Sequence, residues 1–340
     1  MATNITAHAA NVTTYVCSAI AGSLLIARLV ASKFQPKPFD VSFWIALIGL
    51  LVLLARVVLT YYVLKLDTAS DILAKKHNNT LTSEDLSRLK LGSILSLLLR
   101  LLLTTHLWAM NLLLLLLYRR FIRHLQWMKH VITATWLFIG ISYVGVILAT
   151  FLECRPFHLY WQVDPNPGSC VKEYVQITVQ GVTNILIDLI LMAVSLPIVF
   201  VQAHRTAHRI KLTLLISLGL FCIIITALRL AYTFQSGSLQ PARTFWASVS
   251  VLAATFVANA PVLYGSFQLR KREKLSSRAY AAGNHSLRTR SRTNPTGTYL
   301  ADDELAIVKH TVVMQTEHVV GEGEGEHSTS HSASAERLDV

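Results

Sequence analysis

Long apolar runs separated by short polar segments fill most of the chain between residues 12 and 267. Each run is long enough, at about 1.5 Å of rise per residue, to cross a hydrocarbon core of about 30 Å as an α-helix. Because lipid offers no partner to backbone N–H and C=O groups, an open chain crosses it only as helices. The pattern therefore predicts an all-α membrane protein with seven transmembrane helices. The predicted spans are Val12–Ser32, Val41–Leu64, Gly92–Leu117, Val131–Leu152, Tyr174–Val201, Ile210–Phe234 and Thr244–Phe267.

The composition agrees with this prediction. The 340 residues are 53% hydrophobic and only 15% charged, whereas soluble domains carry about 25% charged residues. The formal net charge of +12 is spread over short basic clusters between the apolar runs. This distribution is typical of loops on the cytoplasmic side of a membrane, so we expect the lipid bilayer as a partner and no nucleic acid. The first ten residues lack the regions of a cleavable signal peptide, and the first span is expected to direct insertion.

Basic residues also predict the orientation of the helices. They cluster after the third, fifth and seventh spans, and two lysines lie in the first loop, so all four loops share one side of a seven-span protein. Loops rich in Lys and Arg remain in the cytoplasm, which places the N-terminus outside and the C-terminus inside. The loop after the second span weakens the contrast, because it mixes basic with acidic residues. The cytoplasmic residues are Lys33, Lys37, Arg119, Arg120, Arg123, Lys129, Arg205, Arg209, Lys211, Arg270, Lys271, Arg272 and Lys274.

Glycosylation motifs support the same orientation. Asn4, Asn11 and Asn78 each begin an N-x-[ST] motif, and all three fall outside when the N-terminus is outside. We predict glycosylation at Asn4 and Asn78, because Asn11 lies close to the membrane. A fourth motif, at Asn284, would be cytoplasmic and unused. Together these signals predict a multi-pass protein of the plasma membrane.

The chain divides into three predicted segments. Residues 1–11 form a short extracellular segment, residues 12–272 the transmembrane domain, and residues 273–340 a cytoplasmic tail. We expect the tail to be disordered, because its Ser, Thr, Gly and Glu cannot bury enough apolar surface to offset chain entropy. Ser277, Ser291 and Thr293 each follow a basic residue by three positions. They are candidate phosphorylation sites, and an unmodified tail is an equal alternative.

The segment "FLECRPFHLYWQVDPNPGSC", residues 151–170, lies between the fourth and fifth spans. It faces outward under this orientation, where disulfides persist, and we predict one between Cys154 and Cys170. Closing a loop of about 17 residues is worth about 3 kcal/mol by chain entropy. Two interpretations stay open: a loop that the disulfide only stabilises, or a lid over an outward-facing cavity.

A few ionisable residues lie within the predicted spans. Such groups are costly in the membrane and usually face the interior of a helical bundle. One interpretation is that Asp188 pairs with one arginine while the others extend their side chains outward or bind carbonyls. The alternative is an outward-open, positively lined ligand pocket that suits an anion or a carboxylate. The candidate pocket residues are Arg56, Arg100, His106, Asp188 and Arg229.

Several chemistries have no support in the sequence. Covalent retinal needs a lysine in a late span for a Schiff base, and the seventh span contains none. The chain has no HExxH, GxSxG, P-loop or CxxC motif, and its histidines are scattered. We therefore expect no enzymatic activity, no catalytic residues, no cofactor and no metal site.

Several motifs resemble those of a known family. They are "FLECRPFHLYWQ…GSC", "VTNILIDLILMAVSLPI", "ALRLAY", "FWASVSVLAATFVANAP" and "LLLLLLYRRF". Taken in their order along the chain, these motifs resemble the fungal rhodopsin-like seven-helix domain, over about residues 12–272. The resemblance implies a receptor-like membrane protein, with "rhodopsin" describing the helix count and not retinal. Arg100 and Asn111 stand where family members often have Glu and Lys, and Ser250 stands where a Glu is usual.

The leading functional hypothesis is a receptor-like protein that senses an unknown extracellular ligand and contacts a cytoplasmic signalling partner. The alternative is a transporter or channel for a small solute, an anionic one among the candidates, that uses Asp188 and the arginines along its path. The absence of a visible internal repeat weighs against transport, since many transporters are built from repeats.

Overall fold

The structure is a computed structural model that describes residues 6–33, 39–66, 83–121, 128–161, 173–201, 206–235 and 239–290. These residues form seven α-helices, a short 3₁₀-helix at Phe157–Tyr160, and no strand. All seven helices are long and apolar enough to cross a membrane. The predicted all-α, seven-span fold is confirmed. The helices are α1 Ala7–Lys33, α2 Val41–Leu66, α3 Ser83–Phe121, α4 Met128–Leu152, α5 Tyr174–Val201, α6 Thr206–Gln235 and α7 Gln240–Arg290.

Two helices extend furthest beyond the predicted spans, the third and the seventh. The third helix begins at Ser83, nine residues before the predicted Gly92, where the acidic pair that follows Ser83 favours a helix N-terminus. The seventh continues to Arg290, so residues 273–290 are helical and not disordered as predicted. This stretch contains three Arg, three Ala and two Leu residues, which favour helix. The rest of the predicted tail, residues 291–340, lies outside the described residues.

The third helix is the central one. In its most apolar 18-residue window 72% of the residues are buried, against 17–50% in the other helices. It contacts α2, α4 and α5, while α1 packs on α2 and α5 packs on α6. Its side chains Leu103, Leu107, Trp108, Met110 and Leu113 form the middle of the main hydrophobic core. Polar residues on this helix are therefore held inside the bundle.

Large apolar side chains cover the outer faces of the other helices. Examples are Trp44 and Leu51 on α2, Leu137 and Ile141 on α4, and Leu220 on α6, each about half exposed or more. A soluble protein rarely exposes so much contiguous apolar surface. These faces are the surface that contacts the lipid bilayer.

A buried arginine, Arg28, ties α1 to α7 next to a proline. Its Nη1 donates to the Ala258 carbonyl at 2.9 Å and to Asn259 Oδ1 at 3.3 Å. Pro261 has no N–H and disrupts the helix bonding of the preceding turn. Polar partners from a neighbouring helix compensate such sites in membrane proteins. This arginine therefore has a structural role.

Contacts divide the chain into one unit of residues 1–273, which contains the helical bundle, and a second unit of residues 274–340. Within the second unit the described residues continue α7 to Arg290. The predicted glycosylation sites Asn4 and Asn78 lie outside the described residues, and so does Cys170. Glycosylation and the disulfide remain predictions, as does the orientation in the membrane.

Candidate ligand site

A cavity of about 40 Å³ lies at one end of the bundle, between the C-terminal parts of α2 and α6 and the N-terminal parts of α3, α5 and α7. The predicted orientation makes this the extracellular end. We call it the arginine cavity. Its lining residues are Arg56, Thr60, Ser96, Leu99, Arg100, Leu103, Glu173, Gln176, Ile177, Arg229, Gln240, Arg243, Thr244 and Ala247.

The charges that line this cavity do not balance. Four arginines face one carboxylate, that of Glu173, which leaves three positive charges in excess among the described lining residues. All four guanidinium groups are buried, with at most 8% of any of these residues exposed. Buried charges of one sign are costly unless an opposite charge compensates them. The arginine cavity therefore has the electrostatics of an anion site.

Glu173 is the carboxylate that partly compensates the arginines. It lies immediately before α5, and its Oε1 forms an ion pair with Arg100 Nη2 at 2.6 Å and another with Arg243 Nη1. Its backbone has φ 63°, in the left-handed region that residues other than glycine rarely adopt. Such strain persists where surrounding contacts hold it, often at functional sites. The Glu173 carboxylate is therefore held between Arg100 and Arg243 by a strained backbone.

Arg56 and Arg229 are held by neutral groups instead. Arg56 Nη2 donates to Ser248 Oγ at 3.1 Å, and that hydroxyl also hydrogen-bonds Thr14 of α1 at 2.9 Å. Arg229 Nη2 donates to Gln180 Oε1 at 3.2 Å. These contacts orient the guanidinium groups, and neither of them is to a carboxylate.

Several arginine N–H groups have no acceptor. Arg56 Nη1, Arg100 Nε and Arg100 Nη1 are buried and have no hydrogen-bond partner among the described residues. Buried polar atoms in folded proteins are almost always paired, so unpaired ones point to a bound species such as water or an ion. Guanidinium groups are suited to carboxylates and other oxyanions because their planar N–H groups bond two oxygens at once.

The segment between α4 and α5 packs against the cavity. Tyr160 lies under the Arg100 guanidinium, whose carbon is 5.5 Å from the ring centroid, and its hydroxyl donates to the Thr150 carbonyl. Burial raises the pKa of the Tyr160 phenol to about 12, although the Arg100 charge opposes the shift. The phenol therefore stays protonated and works as a fixed hydrogen-bond donor.

Glu153 fixes the start of α5 next to Glu173. Its carboxylate accepts the backbone N–H groups of Val175 at 2.8 Å and Gln176 at 3.3 Å. Carboxylates stabilise helix N-termini in this way. Burial raises the pKa of this carboxyl, while the Val175 N–H and the Arg100 charge act against the shift.

Cys154 is buried beside Tyr160 and Leu97 in a small apolar cluster. Its predicted partner, Cys170, is not among the described residues. Of the two interpretations of this segment, its packing on Arg100 favours a cover for the cavity. The segment also provides Glu173, at the end where α5 begins.

The structure brings three of the five predicted pocket residues together and separates two. Arg56, Arg100 and Arg229 line the arginine cavity. His106 lies deeper and bridges two helices, with Nδ1 3.3 Å from the Gly49 carbonyl and Nε2 2.9 Å from Thr255 Oγ1. Asp188 lines a separate small cavity with Asn111 and Asn184. The predicted grouping fails for these two because helical rise puts Asp188 about 20 Å along α5 from its first residue.

Glu173 is the carboxylate that forms an ion pair with Arg100, whereas Asp188 was the partner considered for an arginine. Sequence reasoning missed Glu173 and Arg243. Both lie one residue outside a predicted span, and neither was among the candidate pocket residues. In the described part of the chain, no cluster of three or more His, Cys, Asp or Glu side chains forms a metal site.

Comparison with known proteins agrees with the fold. A protein-family model described as the fungal rhodopsin domain matches residues 10–268 of the 340. No curated protein and no solved structure matches the chain. The match spans all seven helices from the start of α1 to the membrane part of α7, and the chain is therefore an integral membrane protein of the fungal rhodopsin domain family.

Proposed function

We propose that this protein is a receptor-like plasma-membrane protein that binds a small anion, or the carboxylate end of a larger external ligand, in the arginine cavity. The observation that carries the proposal is the excess of four buried arginines over one carboxylate. The unpaired N–H groups of Arg56 and Arg100 support it, because they are donors without acceptors.

The size of the cavity limits the ligand. At about 10–15 Å³ for each water-sized body, a cavity of about 40 Å³ holds about three heavy atoms or water molecules. Drug-sized ligands occupy pockets of about 300–1,000 Å³. The group that enters is therefore a one- or two-carbon carboxylate, or an inorganic anion of similar size.

Glu173 provides a way for binding to be sensed. A ligand carboxylate that takes its place on Arg100 and Arg243 releases the ion pairs that hold the start of α5. The released segment returns to a less strained backbone, since its φ of 63° is no longer imposed. Ligand binding then shifts the balance between a Glu173-bound and a ligand-bound state.

Thermal unfolding of the purified full chain in detergent tests the binding step. Acetate is titrated against acetamide, which has a similar shape and no charge, at constant ionic strength. We expect acetate to raise Tm saturably, because a ligand that binds only the folded state stabilises it, and acetamide to have no effect. Equal responses to both compounds would overturn the proposal.

Matched variants assign the response to the cavity. Arg56→Gln and Arg229→Gln each remove one cavity charge that has only neutral partners, and we expect each to weaken acetate binding about tenfold or more, equivalent to about 1.4 kcal/mol. Arg28→Gln is the control, since Arg28 is also buried but lies at Pro261 of α7. An identical loss in all three variants would show a general effect of removing buried charge.

The receptor part of the proposal has its own test. Arg119 and Arg120 lie in the last turn of α3, and Arg205 lies between α5 and α6, all on the predicted cytoplasmic side. Substituting any of them should abolish a ligand-dependent cellular response while surface expression stays normal. Loss of the response only together with loss of expression would contradict a cytoplasmic signalling partner.

A transporter is the second candidate, and one observation favours it. A second polar cavity around Asp188 lies deeper in the bundle, as a solute path would require. Uptake of radiolabelled acetate into proteoliposomes separates the two candidates. Robust flux that Arg56→Gln removes would replace the receptor interpretation, whereas binding without flux supports it.

A further inference from the structure

The deeper cavity has features of a second site that the arginine cavity does not explain. It has a volume of about 10 Å³ and lies between α3, α5, α6 and α7. We call it the Asp188 cavity. Its polar lining residues are Asn111, Asn184, Asp188, Thr226 and Ser250, and its remaining lining is apolar apart from Cys222.

Asp188 is the only charged residue among the described lining residues, and one of its carboxylate oxygens has no partner among them. It is 5% exposed, and its Oδ2 has no hydrogen-bond partner among the described residues. No Arg, Lys or His of the described chain lines the cavity. The titratable groups that interact with it, Tyr118 and Cys222, are neutral in their ordinary states. An isolated carboxylate at this depth is costly, so something must neutralise it.

Residues with neutral oxygen atoms line the same cavity as this carboxylate. Ser250 donates its hydroxyl proton to the Trp246 carbonyl at 2.9 Å, which leaves its oxygen lone pairs available. Asn184 lies one helical turn before Asp188, on the same face of α5. Its Oδ1 accepts from Asn111 Nδ2 at 3.0 Å, which fixes both amides at the edge of the cavity. Carboxylate, amide and hydroxyl oxygens are the ligands of hard cations.

We propose that the Asp188 cavity binds one dehydrated monovalent cation of about the size of sodium. The charge selects a monovalent ion, because one carboxylate neutralises one positive charge and a divalent ion would leave an excess in the membrane. The volume selects a single ion, because about 10 Å³ holds one body no larger than a water molecule. The proposal does not depend on the function of the arginine cavity.

Thermal unfolding of the purified full chain tests the site. Sodium chloride is titrated against choline chloride at fixed chloride and fixed ionic strength, so that the arginine cavity meets the same anion throughout. We expect sodium to raise Tm saturably and choline to have no effect. The same Tm in both salts overturns the proposal.

Variants locate the response. We expect Asp188→Asn to abolish it and Ser250→Ala to weaken sodium binding about tenfold, the loss of about 1.4 kcal/mol that one ligand oxygen would represent. Arg229→Gln leaves every lining residue of the Asp188 cavity in place and should keep a saturable sodium response. If Asp188→Asn does not fold, the shift in Ser250→Ala still decides, and an unchanged sodium titration in that variant overturns the site.

Infrared difference spectra distinguish a cation from a proton. A proton on Asp188 would give a carboxylic acid C=O band that disappears in Asp188→Asn. In saturating sodium at neutral pH we expect that band to be absent in the wild-type protein. A band that persists in saturating sodium shows that a proton neutralises Asp188 and overturns the cation site.

Discussion

Replacing Glu173 by glutamine is the most direct test of how the arginine cavity is balanced. The substitution keeps the shape of the side chain and removes its charge. Two guanidinium groups share its Oε1, those of Arg100 and Arg243. After the change the four cavity arginines face no carboxylate among the described lining residues.

The expected cost follows from burial. Glu173, Arg100 and Arg243 are each at most 8% exposed, so solvent does little to screen the uncompensated charges. Removing one partner of a buried ion pair costs about 3–5 kcal/mol. At about 2–4 °C per kcal/mol for a protein of this size, Tm falls by about 6–20 °C.

The assay is thermal unfolding in detergent with Glu153→Gln as the matched control. Glu153 lies in the same segment and also contacts the start of α5, but its partners are two backbone N–H groups. The two N–H groups donate to different oxygens of Glu153. Glutamine keeps one of these acceptors and loses the other, so we expect the control to lose one hydrogen bond, about 0.5–1.5 kcal/mol. Acetate should then act most strongly on Glu173→Gln, because it supplies the missing carboxylate. At about 100 times its Kd it restores about 2.7 kcal/mol.

Two results would refute this reasoning. Equal, small losses in Glu173→Gln and Glu153→Gln would show that the arginines do not need the Glu173 charge. A large loss that acetate does not reverse would show that the arginines need the side chain of Glu173 itself and do not accept a free anion.

The remaining predictions concern packing and the deeper polar contacts. Gly219→Ala places a Cβ 2.8 Å from Met192 Cγ and should lower the free energy of unfolding by about 1–3 kcal/mol. The Cβ of Gly140→Ala meets no atom within 4 Å, so this variant should raise the free energy of unfolding by up to about 1 kcal/mol. Thermal denaturation of the two variants checks the contrast. His106→Leu removes hydrogen bonds to α2 and α7 and should cost about 1–2 kcal/mol without changing acetate affinity, because His106 does not line the arginine cavity. A change of acetate affinity in His106→Leu would return this histidine to the ligand site.

The sequence alone predicted the seven helices, because a membrane span is recognised by the length of a continuous apolar run. An apolar run of the right length has no alternative structure in lipid. The same constraint identified Arg56, Arg100 and Arg229, since a charged residue inside a span must face the bundle interior. Their convergence on one cavity could be anticipated because all three lie near the same predicted end.

Other parts of the site depend on how each helix is rotated about its axis and on the residue at which it begins. The hydrophobic pattern of the sequence determines neither. Arg28 lies within the first predicted span but was not among the candidate pocket residues, yet it is 5% exposed because its side chain reaches into the bundle beside Asn259. Glu173 and Arg243 lie at the starts of helices. A shift of one residue in the predicted start of such a helix decides whether the residue is assigned to a loop or to the cavity lining. The separation of Asp188 from the arginines could be estimated from helical rise, but its lack of an arginine partner could not.

The two cavities should influence each other only weakly, and the size of the effect can be estimated. Arg100 and Asn111 lie on α3, one at each cavity, and eleven residues of helix place them about 17 Å apart. At an effective dielectric constant of about 20, two unit charges at that distance interact by about 1 kcal/mol. Sodium at Asp188 would remove a negative charge that repels the anion, so acetate should bind up to about fivefold more tightly in sodium chloride than in choline chloride.

Linkage requires that acetate strengthen sodium binding by the same factor. Both titrations are made on one protein preparation, and Asp188→Asn serves as the control in which acetate affinity no longer depends on the cation. A coupling much larger than fivefold would mean that the helices move between two packed states when either site fills, since electrostatics across this distance cannot supply it. A coupling of the opposite sign would contradict the charges assigned to the two cavities.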